Sequence, residues 1–586
     1  MLASRPRGVL FVAVIALVAA CKSGSEPSTP GLDLGEIKPN TNVNSQTFEG
    51  GSAGEDFVLT ASNVSTSFAT TLSVTFTGHG LNATAPAAKS LIASGGPSLM
   101  RVASEGAPSL MRLASESAPE PSDAFEERLR RSENAALTSK FGAARKWLAS
   151  RSSSNGLLSR DAIPSSVTVG QKLSLNVSLD PCANADQRRG RVVAITQKAI
   201  VIADTANPIG GYTDAEYAAV GATFDTLVAP LDEANFGTPG HDLDGNGHIV
   251  MFFTRAVNEM TARGSTSVVG GFFFARDLFP VVDDPNLGAG SGCPSSNVGE
   301  MFYLMVPDPN GLVSDARSKD YVSLQTIATT GHEYQHLINA SRRLYVNTQA
   351  TSFETVWLNE GLSHVAEELL FYHVAQLQPK QNITINALRS TQTGISAFNN
   401  YQLFNFGRYR TFLEATTNHS PYAPNDDLET RGATWSLLRY LADRRGTADT
   451  DTWGKLVNSI KTGLANMTDV FGSTLSDQIR DWQVSVNADD YPLTGATVSA
   501  NFTQPSWNFR SVFSAFVNGS GQPVPPPFPV PSLGLVDASP VTLTLNGGSV
   551  GYVRFSVPAG ASATVTWTSG SSAPPSTFVV TSFRTR

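Results

Sequence analysis

The segment Thr330-Gly331-His332-Glu333-Tyr334-Gln335-His336-Leu337-Ile338-Asn339 holds the side chains best equipped for chemistry. His332 and His336 are four positions apart, so on a helix both imidazoles share one face and can bind a single zinc ion. Glu333 follows the first of them, where its carboxylate can reach a water on the metal without displacing a ligand. Zinc brings such a water's pKa towards neutrality and polarises a carbonyl, and Glu333 as general base takes and returns the proton. With only 8 His in 586 residues, this pattern rarely arises by chance.

A catalytic zinc keeps three protein ligands and one open position. A third His at 342 with Gly at 339 would mark one large class, but the chain has Arg342 and Asn339, which excludes it. Further on, Val356-Trp357-Leu358-Asn359-Glu360-Gly361-Leu362-Ser363-His364-Val365-Ala366-Glu367-Glu368-Leu369 reads as a second helix with a carboxylate one turn in. Two antiparallel helices could bring Glu360 to the same metal. Glu354, ahead of the helix, and Glu367, two turns along the same face, are the rivals; Glu360 is preferred. Trp357 and Leu358 read as packing residues at the helix start.

The elements that must position these residues come from the surrounding stretch. Ser165–Leu179 and Val192–Ile202 carry strand signals, and a helix beginning at Thr213-Asp214-Ala215-Glu216 puts Tyr217, Val220, Phe224, Leu227 and Leu231 on one face. Strands and long amphipathic helices then alternate irregularly to about Asp489, as in an α+β enzyme domain.

The two motifs together, His-Glu-Tyr-Gln-His and Trp-Leu-Asn-Glu-Gly-Leu-Ser-His, resemble those of the hyicolysin-type metallopeptidases of the glutamate-zincin clan. The second is also similar to an element of zinc aminopeptidases, whose ligand spacing is shorter. The resemblance runs through Asp242–Gly247, Gly270–Phe273, Glu300–Tyr303 and Arg439–Arg444, covering about residues 190 to 490. It implies a secreted zinc endopeptidase acting on peptides or proteins, with one zinc per chain, His332, His336 and Glu360 as ligands and Glu333 as base. Related zincins place an Asp four residues after the third ligand, to orient the first His; here His364 stands there. A zinc-bound His needs some such partner, and Glu367 or a backbone carbonyl could supply it. His364 is read as structural or second to the ligands, with oxyanion stabilisation as the alternative. Tyr401, Tyr409, Tyr422 and Tyr440 are further oxyanion candidates by position, though Tyr440 fits the apolar stripe of its helix.

Asp242, Asp244, Asn246 and Gly247 match the opening of an EF-hand calcium loop, but position 12 is Phe253, so the bidentate carboxylate is missing. Asp-Gly and Asn-Gly are strong turn signals, and a plain turn before the strand Ile249–Phe253 is preferred over a partial calcium site.

The N-terminus reads as an export address. Arg5 and Arg7 precede an apolar run from Val9 to Ala20, too short to anchor stably across a bilayer. Val18-Ala19-Ala20-Cys21 resembles a bacterial lipobox, which implies acylation of Cys21 and a protein anchored at the bacterial cell envelope; ordinary secretion is the alternative. Cys182 and Cys293 remain as a candidate disulfide in an oxidising compartment. Three Cys cannot build a four-Cys zinc site, so zinc must use His and carboxylates.

The resulting map has a signal over 1–20 ending at Cys21, a tether over 22–42 and a β region over 43–190. A metallopeptidase domain follows over 191–490, then a Pro-rich linker over 491–535 and a β module over 536–586. The tail from Asn546 resembles the pre-peptidase C-terminal modules of exported bacterial proteases. The expected architecture is α+β, a central zincin-like domain flanked by small β domains. Within the first β region, residues 84–164 form an insertion or pro-segment. It carries two copies of an 11-residue repeat (Pro97–Glu105, echoed by Pro108–Glu116) and a helix-forming stretch from Ser122 to Ala149. A removable inhibitory arm is one hypothesis for it. Lys+Arg 42 against Asp+Glu 50 gives a net charge of −8 without basic runs, which argues against nucleic acid as a partner. Two other functions stay open: a non-catalytic lipoprotein whose zinc only ties helices together, and an aminopeptidase. Oligomeric state is not legible.

Overall fold

A computed structural model describes residues 31–40, 44–86, 101–102, 122–153, 163–265, 268–283, 289–518 and 521–586. The export signal, Cys21 and most of the repeat lie outside the described residues. In chain order the principal strands are Ile37–Asn40 (β1), Ser45–Glu49 (β2), Glu55–Asn63 (β3), Leu72–His79 (β4), Lys172–Asn176 (β5), Gln187–Ile195 (β6), Ala199–Asp204 (β7), Ile249–Phe253 (β8), Gly271–Phe273 (β9), Met301–Leu304 (β10), Leu533–Gly534 (β11), Val541–Leu545 (β12), Val550–Val557 (β13), Ser562–Thr568 (β14) and Phe578–Arg584 (β15). Helices and several sheets in separate layers make the chain α+β.

The central sheet has the order β9-β10-β8-β7-β6-β5, with β8 parallel to both neighbours and β9 antiparallel at the edge. β8 reads Ile-Val-Met-Phe-Phe and is buried on both faces, as a strand covered on two sides must be. Its alternation divides two cores: Met251 and Phe253 point into the large helical core, Val250 and Phe252 into a smaller one on the opposite face.

Helices Ser122–Leu137 (α1) and Phe141–Ser153 (α2) precede this sheet; Asp214–Thr223 (α3), Lys319–Ser341 (α4), Val356–Ala375 (α5), Leu403–Glu414 (α6) and Leu428–Arg444 (α7) follow in the chain. α3 starts on a capping box, Thr213 with Glu216. The Ser318 hydroxyl accepts from Tyr321 N–H to start α4, with Asp320 favourable in its first turn. α5 is apolar around most of its circumference and almost wholly buried between α4 and α7. Gly361 permits that crowding, since a Cβ there would lie 2.4 Å from Thr434 Cγ2 on α7. α1 and α2 pack onto the central domain: Leu137, Phe141 and Ala144 join the helical core, while Phe125 stacks edge-on against Phe272 of β9 at 5.7 Å.

The two terminal β regions, expected as separate modules, form one sandwich. One sheet runs β1-β15-β3-β13-β11 and the other β12-β4-β14-β2. No two of the four N-terminal strands pair with each other; each takes its partners from the C-terminal strands. β3, with eight of its nine residues buried, needs a neighbour on each side, and β13 and β15 supply them. Phe57 stacks on Phe555 across this pairing at 5.5 Å. Cys182 and Cys293 are joined in a disulfide that closes a separation of 111 residues.

Replacing Phe555 by Ala should cost about 3–5 kcal/mol and loosen both chain ends together. Limited proteolysis of F555A should cut within residues 31–86 and 541–586 at the same rate; cutting confined to the C-terminal strands would contradict a shared sandwich.

Candidate metal centre

α4 and α5 bring His332, His336 and Glu360 to one buried point. His332 Nε2 and His336 Nε2 are 3.2 Å apart, and each lies 3.3 Å from a different oxygen of Glu360. A zinc ion bound by N and O atoms at about 2.0–2.1 Å spaces its tetrahedral ligand atoms about 3.3 Å apart, so the trio has the edges of a zinc site. Glu360 is fully buried, and neither of its carboxylate oxygens accepts a hydrogen bond. Arg431 and Arg130 stand 3.4 and 3.7 Å from it without hydrogen-bonding it, so a cation held by the three residues would give both oxygens a direct partner. The donors and the orphaned carboxylate therefore fit a metal ion.

The neighbours of each ligand fix its orientation. His332 Nδ1 is 2.9 Å from Glu367 Oε1. His336 Nδ1 is 3.1 Å from Ser363 Oγ, whose hydroxyl donates to Gln335 Oε1 at 2.7 Å. With both Nε2 atoms turned to the metal position, both Nδ1–H groups have acceptors. On Glu360, burial alone would raise the carboxyl, but Arg431 and the two histidines outweigh it and hold it well below the usual range. Arg431 Nη1 stands 3.4 Å from Glu360 Oε2 and is held from behind by Asp426 at 2.8 Å. Burial would lower His332, yet the adjoining carboxylates of Glu360 and Glu367 push it up to about 10, whereas burial and Arg130 take His336 down to about 3.

Glu333 turns to the sheet rather than into the trio. Its Oε2 accepts the Phe273 N–H of edge strand β9 at 2.8 Å, and burial raises its pKa against the pull of His332 and Arg130. The same strand meets α1. Arg130 Nη1 donates to Phe273 O and to Glu133 Oε2, both at 2.9 Å, Nη2 donates to Glu126 at 3.3 Å, and Ala275 N–H donates to Glu133 Oε1 at 2.6 Å. Arg130, Glu133 and Arg431 were not legible as site residues, because nothing local in the sequence links them to the zinc motif.

The other candidates fall as follows. Glu367 stands beside His332, as just described, and His364 shares it: His364 Nδ1 lies 3.3 Å from Glu367 Oε1 and 3.4 Å from Arg408 Nη1. Burial and Arg408 hold His364 down at about 3. His332, His364 and Glu367 make a second trio close enough for an ion. Glu354 is spent on Arg343, Gly463 N–H and Asn466. Tyr409, Tyr422 and Tyr440 bond Gln504, Ser65 and Asn501, away from the trio. Trp357 and Leu358 belong to the helical core.

The Asp242 loop is a tight turn: Asp242 accepts the N–H groups of Gly245, Asn246 and Gly247, and both glycines adopt positive φ. A carboxylate missing from the loop arrives from elsewhere, since Glu300 joins Asp242 and Asp244. Asn246 does not offer its oxygen to this group: its amide donates to Asp244 at 2.6 Å and its Oδ1 accepts His248 N–H. Burial pushes Asp244 up to about 8.

No family model matches the chain. The neutral metalloprotease ShpI of Staphylococcus hyicus is 31% identical over 163 residues, which are 27% of this chain and 31% of that protein. The chain thus spans less than a third of this relative's length, a partial similarity to a metalloprotease that accompanies a His, His, Glu site suited to a metal ion.

Two outcomes follow from this geometry. Glu367→Gln should weaken zinc affinity about 10–100-fold, measured by chelator competition; unchanged affinity would remove Glu367 from the support of His332. Asp244 is raised when folded, so its contribution to stability is complete below about pH 4 and is lost as pH rises towards 8. In calcium-free buffer the melting temperature of wild type should therefore fall more steeply between pH 5 and 8 than that of Asp244→Asn; parallel slopes would contradict it.

Proposed function

We propose that the chain is a zinc-dependent endopeptidase of the hyicolysin type that cleaves extracellular peptides or proteins. The observation that carries this reading is the division of labour on α4. Two histidines join Glu360 at zinc spacing, while Glu333, one residue along, stays out of the ligand set and bonds the edge strand. His332, His336 and Glu360 would hold the metal. Bound there, zinc would supply Lewis acidity, polarising the scissile carbonyl and acidifying a water.

Glu333 then has the role of base: its carboxylate takes the water proton and delivers it to the leaving amine. With Arg130 displaced, the Phe273 C=O of β9 would be open to an extended peptide in the manner of strand addition, while its N–H stays on Glu333. That mode grips the peptide backbone and needs no free amino terminus, which favours an endopeptidase over an aminopeptidase. A zinc that merely ties α4 to α5 would have no use for Glu333. Export and acylation of Cys21 complete the reading as a protein of the bacterial cell envelope; among the described residues no helix is long and apolar enough to cross a membrane. The turn at Asp242 stands as structural, and a calcium ion held by Asp242, Asp244 and Glu300 would abolish the fall of stability with pH.

The test compares wild type with Glu333→Gln on an unfolded protein substrate, with zinc measured on both. Hydrolysis should drop by about 10²–10⁴-fold in the variant while it keeps one zinc per chain. Equal, measurable hydrolysis by both would contradict the role of Glu333.

A further inference from the structure

We infer that α1 is a built-in inhibitor of the site, with Arg130 as its plug. This rests on the reading of the trio and Glu333 as an active site. Arg130 is 2% exposed, and its guanidinium lies between the proposed base and the proposed ligand, with Nη2 3.8 Å from Glu333 Oε2 and Nε 3.7 Å from Glu360 Oε1. A scissile peptide would have to enter there.

The contacts of Arg130 are those of a closure rather than of a catalytic group. A residue that stabilises a developing oxyanion keeps its donors for the substrate. Here Nη1 is engaged by Glu133 and Phe273 O and Nη2 by Glu126, which leaves Nε–H, 3.7 Å from Glu360 Oε1, as the one guanidinium nitrogen without a hydrogen bond. Glu126 and Glu133 lie one turn either side of Arg130 on the same helix, so α1 brings its own counter-charges and can bury a guanidinium against the site. The helix also takes the strand edge. The Phe273 C=O that ends β9, and the Ala275 N–H of the short helical turn just past it, are bonded to Arg130 and Glu133. A cavity beside the site, lined by Arg130, Phe273, His336 and Asn359, holds about 10 Å³, room for about one water, and Glu333 itself is buried. A peptide cannot reach Glu333 while α1 is seated.

The rest of the arm anchors this closure. Leu137, Phe141 and Ala144 are buried in the helical core, and Arg145 of α2 donates to the carbonyls of Arg343, Leu344 and Ala350 just beyond α4. The closed state is therefore the resting state of the full chain, and hydrolysis requires α1 to leave or be cut away. Turnover scales with the open fraction.

The experiment uses the full-length zinc-loaded chain and its Arg130→Ala variant, with two readouts: hydrolysis of a quenched fluorescent peptide, and the rate of zinc loss to the chelator 4-(2-pyridylazo)resorcinol. Arg130→Ala should raise both by at least about tenfold. A synthetic peptide spanning residues 122–153, added back, should lower both again, and the same peptide carrying Arg130→Ala should not. Should Arg130→Ala fail to melt cooperatively, Glu133→Gln, which removes the counter-charge and weakens the Ala275 contact, takes its place with the same expectations. Zinc loss and hydrolysis no faster than in wild type would overturn the inference, as would a fall in hydrolysis with unchanged zinc loss, the mark of a catalytic Arg130. Faster zinc loss with no hydrolysis by any form would uphold the plug and defeat the peptidase reading.

Discussion

A carboxylate sealed from water, with no hydrogen-bond donor on either oxygen, is the constraint on which this structure turns. Glu360 survives in that position because positive or metal-seeking groups surround it: His332 and His336 from α4, Arg431 from α7 and Arg130 from α1. These four groups come from three helices, each of which must be held at short range. The contact of Gly361 with Thr434, the apolar jacket of α5 and the Asp426 brace behind Arg431 serve that requirement.

The same constraint organises the charge around the site. Four carboxylates, Glu126, Glu133, Glu333 and Glu360, face the guanidinia of Arg130 and Arg431. Burial pushes Glu126, Glu133 and Glu333 upward despite Arg130, and with four carboxylates to two guanidinia the cluster is short of positive charge. A divalent cation at the histidines would supply it. With α1 withdrawn, Arg130 and two of the carboxylates would leave together, taking a net negative charge away from the exposed site.

How much of this was legible in the sequence depends on how far each feature reaches along the chain. His332, Glu333 and His336 were readable because a helix converts a spacing of four into one shared face. Glu360 followed from a second helical pattern nearby, and Glu367 from the need of His332 for a partner. Arg130, Glu133 and Arg431 come from distant segments, and no periodicity announces which core a helix will enter. Glu300 was missed for the same reason: the EF-hand template seeks its last carboxylate within the loop, whereas here it comes from the start of another strand. At the termini the alternating patterns revealed strands but not their partners. An alternating strand records only which of its faces is buried, so four unpaired N-terminal strands and a C-terminal set looked like two modules.

The most direct measurement is the anomalous diffraction signal at the zinc absorption edge from crystals of the full-length chain grown with zinc. The account predicts a single strong peak enclosed by His332 Nε2, His336 Nε2 and the Glu360 carboxylate, with the Arg130 side chain seated between Glu333 and Glu360. A peak enclosed instead by His332, His364 and Glu367, or no peak within the α4–α5 pair, would contradict it.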